Sequence, residues 1–206
     1  LKKQAVVNAG LKFILYDEES GQTFEYCYEN GIVDYIKEID AGKGFTAIQH
    51  HSTETRGRDR EDKPEYKVRM EVAFCFNNEI NLLEYYHNSS FLEHGGAPDK
   101  AVKTAFVYEI DKCLRSRGKY NKDEAKITFA DVQDSLILVT NSFSTVTSYE
   151  NQTKKAITNK FIQEAMTEFL KQQLEIYFIE NKEESEKILE QILVNKRSRE
   201  TAEKTR

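Results

Sequence analysis

The chain has 206 residues, of which 39% are hydrophobic, 32% charged and 11% aromatic, with a formal net charge of −5. That is enough for one or two domains with a real core, no apolar run nears the ~20 residues of a membrane span, and the first residues lack the apolar stretch of a signal peptide. Net negative charge excludes a uniformly basic nucleic-acid domain, so any DNA contact has to come from a local patch.

In chain order, Leu1 to Asn8 fits the last turns of a helix, stopped by Gly10. Leu11, Phe13 and Leu15 alternate with Lys12, Ile14 and Tyr16, and Phe24, Tyr26 and Tyr28 alternate with Thr23, Glu25 and Cys27. Two such runs around Asp17-Glu18-Glu19-Ser20-Gly21 predict a β-hairpin. Asn30 is placed to cap a short helix carrying Ile32, Val33, Ile36 and Ile39 on one face. Residues 49–65 are polar and mixed in sign and are expected to form an exposed loop, with Arg56, Arg58 and Arg60 solvated.

Val68, Met70, Val72, Phe74 and Phe76 then alternate with Lys67, Arg69, Glu71, Ala73 and Cys75, the pattern of a half-buried strand. Asn77-Asn78 supplies its turn, and Ile80, Leu82 and Leu83 begin a short strand. After Gly95-Gly96, Asp99 is placed as an N-cap for a helix carrying Val102, Ala105, Phe106, Glu109, Ile110 and Cys113 to about Arg117. Leu136 to Val139 is a continuous apolar run, as in a central strand covered on both faces, and Phe143 to Tyr149 is compatible with a further strand. From Asn159 the apolar period is helical, through Ile162, Met166, Phe169, Leu170, Leu174 and Tyr177. Asn181 with Glu184 resembles a capping box for a last helix carrying Ile188, Leu189, Ile192 and Leu193.

Cys27, Cys75 and Cys113 are widely spaced, form no CxxC pair, and read as free thiols of a reducing cytoplasm. His50-His51 reads as a solvated turn, and no metal site is expected. There is no P-loop pattern, no nucleophile–base pair, and Glu183-Glu184 lies in a solvated helical context, so no catalytic residue is expected. Leu1 at the start and the charged run to Arg206 at the end both read as cuts within a longer protein.

One segment carries more. Tyr149-Glu150-Asn151-Gln152-Thr153-Lys154-Lys155-Ala156-Ile157-Thr158-Asn159 resembles the glutamine-threonine-lysine loop of gyrase B and topoisomerase IV, roughly F-E-G-Q-T-K-x-K-L-G-N. In order along the chain, Tyr28-Glu29-Asn30-Gly31-Ile32 resembles Y-E-G-G-I, and Asn88-Ser89 with Glu93-His94-Gly95-Gly96 resembles N-N-I-N-T-x-E-G-G-T-H. Asp131 to Val139 resembles D-V-R-E-G-L-x-A-V, and Asn195 to Glu200 resembles A-R-x-R-E. The chain thus resembles, over its whole length, the transducer domain of the ATPase subunit of type IIA DNA topoisomerases, as a divergent member. Phe91-Leu92, Ala97-Pro98, Asn151 and Thr158 depart from the family pattern.

That resemblance implies an α+β fold like the second domain of ribosomal protein S5, with helices on one sheet face and a C-terminal helical extension. It implies three parts: residues 1–10 ending the preceding ATPase module, 11–160 the α+β domain, and 161–206 helices leading toward the cleavage core. Gln152 and Lys154 are expected to touch the γ-phosphate of ATP held with Mg2+ mainly by the ATPase module, a lysine being a compact charge that reaches a terminal phosphate. Lys196, Arg197 and Arg199 are expected to face DNA, with Arg115, Arg117 and Lys119 a weaker patch. Implied partners are the ATPase module, DNA and the A-type subunit of gyrase or topoisomerase IV, with the fragment itself a cytoplasmic monomer that is inactive alone. The competing readings are the equivalent domain of a MutL-like or Hsp90-like ATPase, and a stand-alone binding module.

Overall fold

The computed structural model describes residues 1–206. Helix α1 (Lys2–Val7), the hairpin β1 (Phe13–Asp17) and β2 (Gln22–Tyr26), and helix α2 (Ile32–Asp40) open the chain. Strands β3 (Gln49–Gly57), β4 (Tyr66–Phe76), β5 (Leu82–His87), β6 (Ser90–Leu92) and β7 (Gly95–Gly96) lead to α3 (Ala97–Ser116). Then come α4 (Phe129–Gln133), β8 (Leu136–Ser144), β9 (Ala156–Ile157), α5 (Lys160–Glu180) and α6 (Lys182–Lys204).

The main sheet has five strands in the order β3-β4-β8-β5-β6. All neighbours are antiparallel except β5 and β8, which are parallel and need the α3 crossover between them. The apolar alternation of β4 aims Val68, Met70, Val72, Phe74 and Phe76 at the large core, where α3, α5 and α6 cover the sheet. Phe74 meets Phe106 of α3 and Tyr177 of α5 edge-on, with centroids 5.4 Å and 5.9 Å away. Strand β8 is covered on both faces, as its unbroken apolar run requires: Leu136 and Leu138 enter the large core, and Ile137 and Val139 a smaller one under α2. Ala73 and Cys75 join that smaller core, so β4 is buried on both sides at its end, not half-buried throughout. Burial and the neighbouring Asp40 carboxylate push the Cys75 thiol far above its ordinary range. Helices α5 and α6 share the large core with the sheet, so the packing is continuous across residue 160.

Several expected details differ. Residues 49–57 are not a loop but the edge strand β3. Its inward residues Gln49, His51, Thr53, Thr55 and Gly57 are half-buried, yet none is apolar, so no hydrophobic alternation marks the strand. Phe143–Tyr149 is no separate strand: β8 runs to Ser144, and Tyr149 only bridges to Ile157. Three expected caps are spent otherwise. Asn30 donates to Asp34 at 3.2 Å. Asp99 lies inside α3 and accepts from the Tyr85 hydroxyl at 2.8 Å. Asn181 donates to the Tyr177 carbonyl, while Glu184 accepts from the Tyr177 hydroxyl at 2.5 Å and the Ala47 amide at 2.8 Å.

His87, at the end of β5, is fully buried, with Nδ1 2.7 Å from Ser142 Oγ and Nε2 3.0 Å from Thr147 Oγ1. Burial pushes its pKa from 6.5 down to about 4, so the folded ring is neutral while the unfolded chain takes up a proton. Stability therefore holds above pH 6.5 and is lost as pH falls toward about 4. We expect this one group to cost about 3 kcal/mol across that window. Urea denaturation at neutral pH and near the folded pKa, compared with His87→Gln, measures it: the substitution should flatten the upper, histidine part of the acid dependence.

Candidate functional site

The loop between β8 and α5 is fastened at its base and open at its tip. Strand β9 pairs in parallel with β7, Gly95 opposite Ala156 and Gly96 opposite Ile157. Gly96 has φ +78, and a Cβ there would lie 2.2 Å from the Ile157 carbonyl oxygen. Only glycine permits both that conformation and that approach. Lys155 is held twice, its carbonyl accepting from the His94 amide at 2.9 Å and its ammonium 2.9 Å from Glu93 Oε2. The Glu150 amide donates to the Ala156 carbonyl at 3.0 Å, which folds the loop back on itself.

At the other end of the base, buried Asn159 takes the Ser148 amide at 2.8 Å. It also donates to the Tyr66 hydroxyl at 3.0 Å and to the Val146 carbonyl at 3.2 Å. Asp59, from the β3–β4 connection, accepts the Phe161 amide at 3.0 Å and the Tyr66 hydroxyl at 2.6 Å, capping α5 from a distance. Sequence reading missed Asp59, because a cap 102 residues away leaves no local signal.

Between these anchors, residues 151–154 are exposed. Asn151 Oδ1 accepts the Thr153 amide at 3.0 Å and the Thr153 hydroxyl, a local Asx turn. Lys154 has φ 58, an uncommon conformation for a residue with a Cβ. Its ammonium lies 5.9 Å from the Tyr149 ring centroid and takes part in none of the ion pairs of the chain. Gln152 and Lys154 are thus brought together at a solvent-facing tip. Lys155, next to them, is committed to Glu93.

The basic residues of α6 are differently placed, and for Lys196 the expectation of a DNA-facing side chain is corrected. Lys196 is fully buried, its ammonium 2.9 Å from Glu124 and 2.8 Å from Glu200. Arg197 pairs with Glu124 at 2.9 Å, and Arg199 grips Asp131 through two nitrogens at 2.8 Å and 3.2 Å. The Arg197 and Lys196 contacts hold the Glu124 carboxyl down to about 2. These pairs fasten α6 to residues 119–135, which contribute Glu124 and Asp131. Of the weaker patch, Arg117 and Lys119 both pair with Glu186 at 2.7 Å. His50 likewise is taken up by Glu71 at 3.0 Å.

A cleft of about 550 Å3 lies beside the base of the loop, lined among others by Asp59, Arg60, Lys63, Asn159 and Lys160. Its Tyr66 hydroxyl and Asp59 carboxylate are bonded to each other at 2.6 Å in the fastening of the loop base, and no group of three or more metal-capable side chains converges anywhere in the chain.

The family model described as DNA gyrase B matches residues 31–206. The DNA gyrase B protein of Metamycoplasma hominis is 28% identical over 199 residues, which cover 96% of this chain and 31% of that protein. That of Thermotoga maritima is 25% identical over 207 residues, covering 100% of this chain and 32% of its own length. The chain therefore spans about a third of the curated relatives it matches. Among solved structures, the 43K ATPase domain of Thermus thermophilus gyrase B, in complex with an aminocoumarin, superposes with a TM-score of 0.71 at 20% identity, over 98% of this chain and 53% of that one. The topoisomerase IV ATP-binding domain of Francisella tularensis gives 0.69 at 19%, over 96% and 51%. At such identity the likeness speaks to the fold, and the fold is the expected α+β, ribosomal S5-like one.

Because Lys196 is an internal tie, Lys196→Ala should destabilise the fold by about 3 kcal/mol, toward the low end for a broken buried pair since Arg197 still faces Glu124. Urea denaturation checks this. A shift below ~0.5 kcal/mol, the scale of a surface substitution, would return Lys196 to the surface.

Proposed function

This chain belongs to the DNA gyrase B family, and we propose that it is the transducer domain of a type IIA DNA topoisomerase ATPase subunit. In this reading it couples ATP binding and hydrolysis in the adjacent ATPase module to DNA strand passage. The observation that carries the reading is an unpaired ammonium, that of Lys154, on an exposed tip whose base is fixed at both ends. Lys154 and Gln152 would touch the terminal phosphate of a nucleotide held mainly by the neighbouring module, with Mg2+. A charge-assisted hydrogen bond is worth about 1.5–3 kcal/mol, enough to shift a two-state domain orientation roughly 10- to 150-fold while the phosphate is present. Hydrolysis and phosphate release remove the contact and the bias with it.

The surroundings of the loop support a neighbour at this edge. Helix α1 lies close by: Gln4 donates to the Ser89 carbonyl at 3.1 Å, and the Lys3 ammonium sits 3.0 Å from the Phe91 ring centroid, two residues before Glu93. The hairpin that follows α1 leaves Leu11, Ile14, Leu15, Tyr16 and Phe24 exposed. A two-stranded hairpin with bare apolar side chains is marginal in water alone, so we assign that face to the ATPase module. Residues 1–10 would then close that module, 11–160 form the transducer, and 161–206 lead toward the cleavage core. The parent would work in the cytoplasm with an A-type subunit on DNA. The family match does not favour the MutL-like, Hsp90-like or stand-alone alternatives.

Two measurements test this. In the full subunit, Lys154→Ala should lower ATP turnover about 10- to 150-fold, the worth of one charge-assisted bond, and strand passage with it, while the unfolding midpoint stays put. Unchanged turnover would remove Lys154 from the mechanism. By calorimetry, the isolated chain should not bind ATP at micromolar concentration, and tight binding would overturn the division of labour.

A further inference from the structure

We infer that Glu93 and Lys155 form a positioning pair that sets where Lys154 points, and so regulate the phosphate contact without touching the nucleotide. This rests on the phosphate-contacting role proposed for Lys154 and adds to it a device in a different segment. Lys155 is fixed through its side chain to Glu93 at 2.9 Å and through its carbonyl to the His94 amide at 2.9 Å. One end of the short stretch that carries Lys154 is thereby tied to the β6–β7 connection. The next two residues run alongside β7, opposite Gly95 and Gly96.

Lys154 itself sits at φ 58, where a residue with a side chain stays only if its surroundings hold it. The tip beyond it has only local support: the Thr153 amide donates to Asn151 Oδ1, and the Lys154 amide donates to the Asn151 carbonyl at 3.4 Å. So the orientation of Lys154 depends on the Lys155 anchor more than on the tip. Glu93 also follows two residues after Phe91, whose ring centroid lies 3.0 Å from the Lys3 ammonium of α1, so α1 rests on the segment that carries Glu93. A rearrangement of α1 when the neighbouring module moves would therefore reach Lys154 through Glu93.

Both side chains are about half exposed, 44% for Lys155 and 54% for Glu93, so the pair is a modest device and its effect is measured as a coupling. In the full subunit, Glu93→Gln and Lys155→Met should each lower kcat for ATP about three- to five-fold with KM within about two-fold, the scale of an exposed ion pair. The double variant should lose no more than either single one, because the pair acts as a unit. Lys155→Arg, which keeps the charge, should stay within about two-fold of the parent. The unfolding midpoint should not move in any of them, which separates positioning from a loss of structure. Single variants that match the parent while Lys154→Ala is crippled would overturn the positioning pair and leave the phosphate contact standing. Losses that multiply in the double variant, or a raised KM with unchanged kcat, would also overturn it. If Lys154→Ala is itself unaffected, the phosphate contact falls and the pair with it.

Discussion

A side chain at position 96 would stand where the Ile157 backbone runs, and most of what is distinctive in this molecule follows from that exclusion. Without a Cβ on Gly96, β9 lies flush against β7, and the loop that precedes it is pinned to the edge of the sheet. Gly95 is similarly confined, a Cβ there meeting the Tyr85 ring at 2.7 Å and Asp99 at 2.9 Å. Tyr85 in turn gives its hydroxyl to Asp99 in the first turn of α3. The base of the loop, the end of β5 and the start of the 20-residue helix α3 are thus one packed unit. A displacement of β9 cannot be absorbed locally, since close-packed groups transmit strain. It has to be shared with α3, and α3 covers the central strands.

Charge in this protein is divided by purpose. The tie between α6 and the body consists of buried or half-buried pairs, Lys196 with Glu124 and Arg199 with Asp131, whose partners lie 72 and 68 residues away in sequence. Two charges taken from water are costly, and geometry of this quality is what makes such pairs tolerable. Lys154 lies at the opposite extreme, hydrated and unpaired. A cation already neutralised by a carboxylate would have to break that pair before meeting a phosphate, and the net gain would shrink accordingly. Leaving one lysine free and tying the adjacent one to Glu93 gives a loop that is both anchored and available.

The same division explains what the sequence disclosed. Where side chains answer to a local period, pattern and packing agree: the apolar alternation of β4, the unbroken run of β8 and the helical stripe of α5 all meet cores where their patterns place them. Motif order along the chain pointed to the family that the matching of residues 31–206 then established. The two largest failures are long-range. Strand β3 was hidden because its inward positions are polar and its pairing with β4 supplies what its composition does not. Lys196 reads as a DNA-facing cation because nothing local in the run from Asn195 to Glu200 shows that Glu124 folds against it. Asn30, Asp99 and Asn181 are sound helix caps by local rule, yet each spends its polar atoms elsewhere.

In the proposed role, stiffness and weakness have to coexist in the loop. Its base is held by backbone bonds, a buried asparagine and the glycine contact, with the half-exposed Glu93–Lys155 pair added at one end. Its tip is held by an Asx turn and one long backbone bond of 3.4 Å. A tip as rigid as the base would meet a phosphate in one geometry only and would pull on nothing when the phosphate left. A base as loose as the tip would follow the phosphate without moving the sheet. A ligand shifts a conformational balance only by the difference in its affinity for the two states. For a contact of ~1.5–3 kcal/mol to reach the helices, little of that difference can be lost in deforming the segment between them. The close approach at Gly96 keeps that segment short and hard: from Lys154 to Ile157 is three residues, and beyond Ile157 there is already β7, Tyr85 and α3.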